Sequence, residues 1–155
     1  MSETTQDAET RGARRIEASL GYDDWRAPAE RGDLAGAIEA YVKAYDWVTF
    51  PELMRKLEPH VPGGVRGEWA ICTPADPNLI LWTGMSEPFK DALRGLLAER
   101  RLFFHPAELL TYLVDGGLMR MPLASRPPKD GYKAPHWLPT CLRTVPMREK
   151  RRRRP

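Results

Sequence analysis

Leu109-Leu110-Thr111-Tyr112-Leu113-Val114-Asp115-Gly116-Gly117-Leu118-Met119-Arg120-Met121-Pro122-Leu123 decides how the chain is read. Two apolar runs, Leu109–Val114 and Leu118–Leu123, flank Asp-Gly-Gly, and Asp-Gly between β-prone runs is a strong hairpin signal because glycine takes the positive φ a tight turn needs. A β-hairpin is therefore expected here, with Gly116 at its tip and Arg120 beside it.

Upstream, the signals alternate between helix and strand. Asp33 can cap a first helix, after which Leu34, Ile38, Tyr41, Val42 and Tyr45 recur at helical spacing. Trp47-Val48 is a brief extended link. Thr49-Phe50-Pro51-Glu52 matches a capping box with proline in the first turn and predicts a second helix through Leu57 that buries Leu53, Met54 and Leu57. Pro59, Pro62, Gly63 and Gly64 end it. Glu68–Cys72 and Leu79–Trp82 read as two strands joined by the turn-rich Thr73–Asn78. Ser86 caps a third helix running to about Arg101, with Phe89, Leu93, Leu96 and Leu97 within about 100° of arc. Leu102-Phe103-Phe104 is a short β candidate stopped by Pro106.

This order, helix, short link, helix, third helix and then a glycine-tipped hairpin, resembles the winged-helix branch of helix-turn-helix proteins over residues 33–123. The segment Val61 to Met85 is longer than the tight turn such proteins have between their second and third helices. The resemblance implies an α+β fold, a small winged-helix-like domain of about three helices with β-hairpins. It implies that the third helix recognises DNA and that the hairpin around Gly116 is the wing. It also implies a possible homodimer, since such regulators commonly work in pairs.

The flanks differ from this body. Residues 1–32 have few large apolar groups beyond Ile16, Leu20, Tyr22 and Trp25, and are expected to be mostly disordered, with those four as possible docking points. Residues 124–147 form a proline-rich arm; Pro122 to Pro146 alone holds six of the 15 prolines. Trp137 and Leu138 are too apolar for a pure linker and are candidate partner-binding anchors. Trp25 shares that reading, but docking onto the core is the preferred reading for both tryptophans, whereas Trp47, Trp69 and Trp82 fall in or beside core elements. Residues 148–155 are a basic tail.

Charge locates the polyanion signal. The balance is −2 over residues 1–32, −1 over residues 33–142 and +6 over residues 143–155, which makes the net +3 a property of the tail. Lys150, Arg151, Arg152, Arg153 and Arg154 can pair with phosphates and release counterions, giving affinity without sequence preference. Anionic lipid, ribosomal RNA, a nuclear-localisation signal or simple solubility are the other uses of such a run. On the third helix, Lys90, Arg94 and Arg101 fall within about 40° of one another, beside the apolar face, as a major-groove helix requires. Arg120 could reach a phosphate from the hairpin.

Catalytic patterns are absent. The chain has no GxSxG, phosphate loop or dinucleotide fingerprint, and His60, His105 and His136 lack the i, i+4 spacing of paired metal ligands. Cys72 and Cys141 form no CxxC pair, and Cys141 lies in the proline-rich arm five residues beyond His136, a poor scaffold for a nucleophile. No apolar run approaches the ~20 residues of a bilayer span, and Met1–Arg15 is polar, with acidic groups ahead of its arginines and no apolar stretch. A non-enzymatic, cytoplasmic DNA-binding protein is expected, nucleoid-associated if it binds DNA, with no cofactor, metal or membrane. The competing readings are a protein-interaction module gripping its partner through the proline-rich arm, and an RNA-associated factor.

Overall fold

The structure, a computed structural model, describes residues 24–126 and 128–148. Of residues 1–32, expected to be mostly disordered, 1–23 lie outside the described residues, as do the basic side chains Lys150–Arg154, whereas 24–32 hold a short helix, Arg26–Glu30, beside the buried Trp25. Among the described residues the protein is α+β, with five helices and two small sheets.

The caps read from the sequence start the three main helices. Asp33 accepts from the Gly36 N–H at 3.0 Å and opens α2 (Leu34–Tyr45), which follows the short α1 (Arg26–Glu30). Thr49 accepts from the Glu52 N–H at 3.3 Å and opens α3 (Phe50–Leu57), with Pro51 in its first turn. The buried Glu52 carboxylate accepts the Tyr41 hydroxyl at 2.9 Å and so ties α3 to α2. Ser86 accepts from Phe89 N–H at 3.2 Å and opens α4 (Glu87–Ala98), the helix read third in the sequence. It ends short of Arg101, because Arg100 has turned to φ +57°.

Between α3 and α4 lies the expected hairpin, β1 (Arg66–Cys72) antiparallel to β2 (Leu79–Met85). Trp25 docks into the core, its ring edge-on to Tyr41 at 5.4 Å. The core itself is the inner stripe of α2 and α3 packed against Leu81, Met85, Phe89 and Leu93, with Leu142 from near the chain's end.

The hairpin expected over Leu109–Leu123 is corrected. Leu109–Val114 is a helix, α5, and Leu118–Leu123 forms no strand beyond one bridge between Leu123 and Trp137. The physical reason is in the same glycines. Gly117 N–H donates to Tyr112 O at 3.0 Å and Gly116 N–H to Leu113 O at 3.2 Å, with Gly116 at φ +81°, the paired bonds of a helix C-terminus closed by left-handed glycine. Asp-Gly-Gly ends a helix here instead of turning a hairpin. Tyr112 fixes the choice: it is fully buried, meets Trp137 edge-on at 5.0 Å and donates its hydroxyl to Thr140 O.

The proline-rich arm is threaded into both sheets. His136–Trp137 forms β4 on the free edge of β2, in parallel, and Thr140–Arg143 forms β5, antiparallel to β3 (Phe103–Pro106). Val48 bonds both ways to Leu142, at 3.1 and 2.7 Å, on the other side of β5. A side-by-side order of Val48, β5 and β3 results.

His105 on β3 is buried, and its Nε2 lies 2.6 Å from Val145 O where the chain leaves β5. Burial first, and the Arg143 charge as a smaller effect, push its pKa below the ordinary imidazole value, against the opposing pull of Val145 O and Asp46. The folded chain thus resists a proton that the unfolded chain accepts below about pH 6.5, so stability falls as pH drops through that value. Thermal melts at about pH 7 and about pH 5 should show a lower midpoint in acid, and His105→Gln should lose part of that difference.

Candidate nucleic-acid interface

The three cations on the third predicted helix meet different fates. Lys90 is 7% exposed, with its Nζ 3.9 Å from the centre of the Trp69 ring and 3.2 Å from Asp91 Oδ1. Trp69, expected in the core, lies exposed on β1 and covers Lys90 instead. Arg101 grips Glu39 with two parallel bonds, Nε–Oε2 at 2.6 Å and Nη2–Oε1 at 2.7 Å, and reaches Glu99 at 3.2 Å. Glu39 first, then Glu99, raise its pKa still further above the usual guanidinium value. Arg94 stays exposed and unpaired among the described residues. On the solvent side of α4 it sits among the exposed Glu87, Asp91 and Glu99. That face carries more acid than base.

Positive charge is free elsewhere. The connection between β3 and β5, residues 107–139, carries Arg120, Arg126, Lys129 and Lys133, all exposed and none in an ion pair among the described residues. Part of this connection is a closed loop. Ala124 N–H donates to Trp137 O and Trp137 N–H to Pro122 O, both at 2.8 Å, so residues 125–135 leave and return at one base. Tyr132 pins the loop's far side: its N–H donates to Asp76 Oδ2 at 2.9 Å, its carbonyl accepts from Asn78 Nδ2 at 2.7 Å, and its ring stacks on His136 at 3.8 Å. Arg126, Lys129 and Lys133 therefore ride on a tethered loop, against the single acid Asp130.

Sequence reasoning missed these three as site residues. The available signal was a cation at every third or fourth position through the proline-rich stretch, masked by reading that stretch as a linker.

The two candidate anchors serve the body. Trp137 is 1% exposed, donates Nε1–H to Leu81 O at 3.2 Å and packs on Trp82 and Tyr112, while Leu138 is half-buried against the core. Large exposed apolar groups lie instead on and after α5, where Leu110 is 65% and Val114 78% exposed, with Leu113 and Leu118 beside them in sequence. At the other end of the arm, Arg143 forms a two-pronged pair with Asp46, both bonds 2.9 Å, and its guanidinium lies 4.0 Å from the centre of the Trp47 ring. The last described residue, Arg148, is exposed where the chain enters the basic tail.

Among the described residues no group of three His, Cys, Asp or Glu side chains could hold a metal ion, and no helix is long and apolar enough to cross a membrane. No family model, curated protein or solved structure matches the chain.

Proposed function

We propose that this protein binds nucleic acid, double-stranded DNA above all, through the basic connection between β3 and β5 and the arginine-rich tail that follows β5. One observation carries the reading: Arg120, Arg126, Lys129 and Lys133 stay exposed and unpaired among the described residues, while Lys90 and Arg101 are held by the fold. Free cations close in sequence to a run of four arginines are what phosphate contact requires.

Connectivity supports a winged-helix reading. A helix (α2), an edge residue (Val48), two more helices (α3 and α4) and two strands (β3 and β5) follow in that order, with Val48 and β3 flanking β5. On this reading residues 107–139 are the wing, and β1–β2 is an insertion before the third helix. The wing then leads. With Arg94 as its remaining free cation, α4 supplies little grip on bases, so the protein is better described as an accessory factor of low sequence preference than as a base-reading regulator.

The test sets two variants against each other. Arg126→Ala/Lys129→Ala/Lys133→Ala should weaken binding to a short duplex by about tenfold or more at about 50 mM salt, whereas Lys90→Ala/Arg94→Ala should change it by less than about threefold. Fluorescence anisotropy with labelled duplex DNA and structured RNA reads both. The reverse ranking would remove the wing-led form of the proposal, and tighter binding to RNA than to the duplex would change the target.

A protein partner is the second reading. Its support has moved from Trp137 to the exposed apolar groups on α5.

A further inference from the structure

Beside α3, the β1–β2 hairpin and the Asp115–Gly117 turn border an open cleft of about 290 Å³. Arg55 and Arg66 are the cations of its lining. Arg55 is exposed and steadied by one bond, Nη1 donating to Asp115 O at 2.9 Å, so most of its donors stay available. Arg66, at the start of β1, is exposed, and its side chain has no hydrogen bond or ion pair among the described residues. The acid of the cleft, Asp115, is already engaged, accepting the Thr49 hydroxyl on Oδ2 at 2.7 Å. Two guanidinium groups and one occupied carboxylate leave a positive concavity.

The apolar part of the lining is stiff. Trp82 is half-buried and packed on Tyr112 and Trp137, at 5.5 and 5.9 Å between ring centres, and Pro51 and Met54 continue the surface. Gly117 seals it: an added Cβ would lie 2.6 Å from Pro51 Cγ and 3.0 Å from Trp82 Cη2, so only glycine fits without displacement. Gly84 and Gly116 line the rest with bare backbone.

We propose that this cleft binds a single nucleotide, with its phosphate on Arg55 and Arg66 and its base and sugar along Trp82, Pro51 and Met54. Paired guanidinium groups match phosphate oxygens by forked hydrogen bonds, and a planar base suits an aromatic wall. The volume of about 290 Å³ sits near the lower limit of ~300 Å³ for small-molecule sites, room for one nucleotide inside the cleft. The cleft adjoins Gly84, near the end of β2, whereas the basic loop is tied to Asp76 and Asn78, ahead of its start. The cleft borrows Asp115–Gly117 from the connection proposed to bind a duplex, but its cations, Arg55 and Arg66, are separate from Arg126, Lys129 and Lys133. The nucleotide comes either free in solution or as the phosphorylated end of a strand.

Calorimetric titration of the full chain with adenosine 5′-monophosphate, adenosine and a short single strand with or without a 5′-phosphate separates the possibilities. The monophosphate should bind with Kd at or below about 1 mM and adenosine at least tenfold more weakly, roughly the 1.4 kcal/mol of one factor of ten. Arg55→Gln/Arg66→Gln should lose at least about tenfold, and Arg55→Lys/Arg66→Lys should recover part of that loss because charge returns without the fork. Arg126→Ala/Lys129→Ala/Lys133→Ala should bind the monophosphate like the parent chain, which distinguishes failure of the cleft from failure of the wing. A strand that binds more tightly with its 5′-phosphate than without it, by a margin that Arg55→Gln/Arg66→Gln removes, assigns the site to strand ends; no gain from the 5′-phosphate assigns it to free nucleotide. The proposal is overturned if the monophosphate gives no heat at about 10 mM, if adenosine binds as well, or if the Gln pair binds unchanged while melting like the parent.

Discussion

Trp137→Ala should destabilise the protein by about 3 to 5 kcal/mol, the usual cost of removing a large aromatic side chain from a core. Trp137 is fully enclosed, touching Trp82 and Tyr112 and bonded through Nε1 to Leu81 O. Its loss opens a cavity between the β2 edge and α5 and leaves that carbonyl short of a partner. For a chain of this size the melting midpoint should fall by about 10 °C or more. The effect would reach the basic loop, because Trp137's own main chain closes the loop at Ala124 and Pro122. A partner-gripping tryptophan behaves otherwise: alanine there would leave the melt unchanged and abolish only binding. Thermal denaturation followed by near-ultraviolet circular dichroism decides between the two.

Truncation after Met147 should produce the largest functional change. The segment removed, residues 148–155, holds six basic side chains and one acid. If it meets phosphates, each phosphate no longer neutralised takes about 0.9 from the salt slope, and affinity for a duplex at about 50 mM salt should fall by about a hundredfold or more. Stability should stay within about 0.5 kcal/mol, as for surface changes that disturb no packing. Activity in a cellular assay that survives truncation intact would favour the protein-partner reading over the polyanion one.

Much of the fold was legible because it is written locally. Asp33, Thr49 and Ser86 each satisfy a free N–H three residues on, and the stripes behind them are buried as their spacing requires. The failures came where one local signal serves two structures. Asp115-Gly116-Gly117 supplies positive φ equally well to a hairpin turn and to a helix end, and Leu109–Val114 is short enough to suit either period. Only the burial of Tyr112 against Trp137, 25 residues away, selects the helix. Lys90 failed for a similar reason. A helical wheel sets it beside the apolar face, but cannot foresee that Trp69, from another element, would roof it. Arg101 lay beyond the helix on which it was counted, and Glu39 of α2 took it. In the arm, proline content suggested an independent linker, whereas His136-Trp137 and Thr140–Arg143 had sheet edges waiting for them. Its loop cations became visible as a group only once the pairing at Trp137 closed the loop.

The central claim is that unpaired cations of the β3–β5 connection and the tail meet a polyphosphate. The dependence of duplex affinity on salt, measured for the full chain from about 50 to about 200 mM, tests it most directly. Engagement of most of those side chains predicts a slope of log affinity against log salt of roughly −5 to −8. A slope near zero, or no binding at the lowest salt, would contradict it.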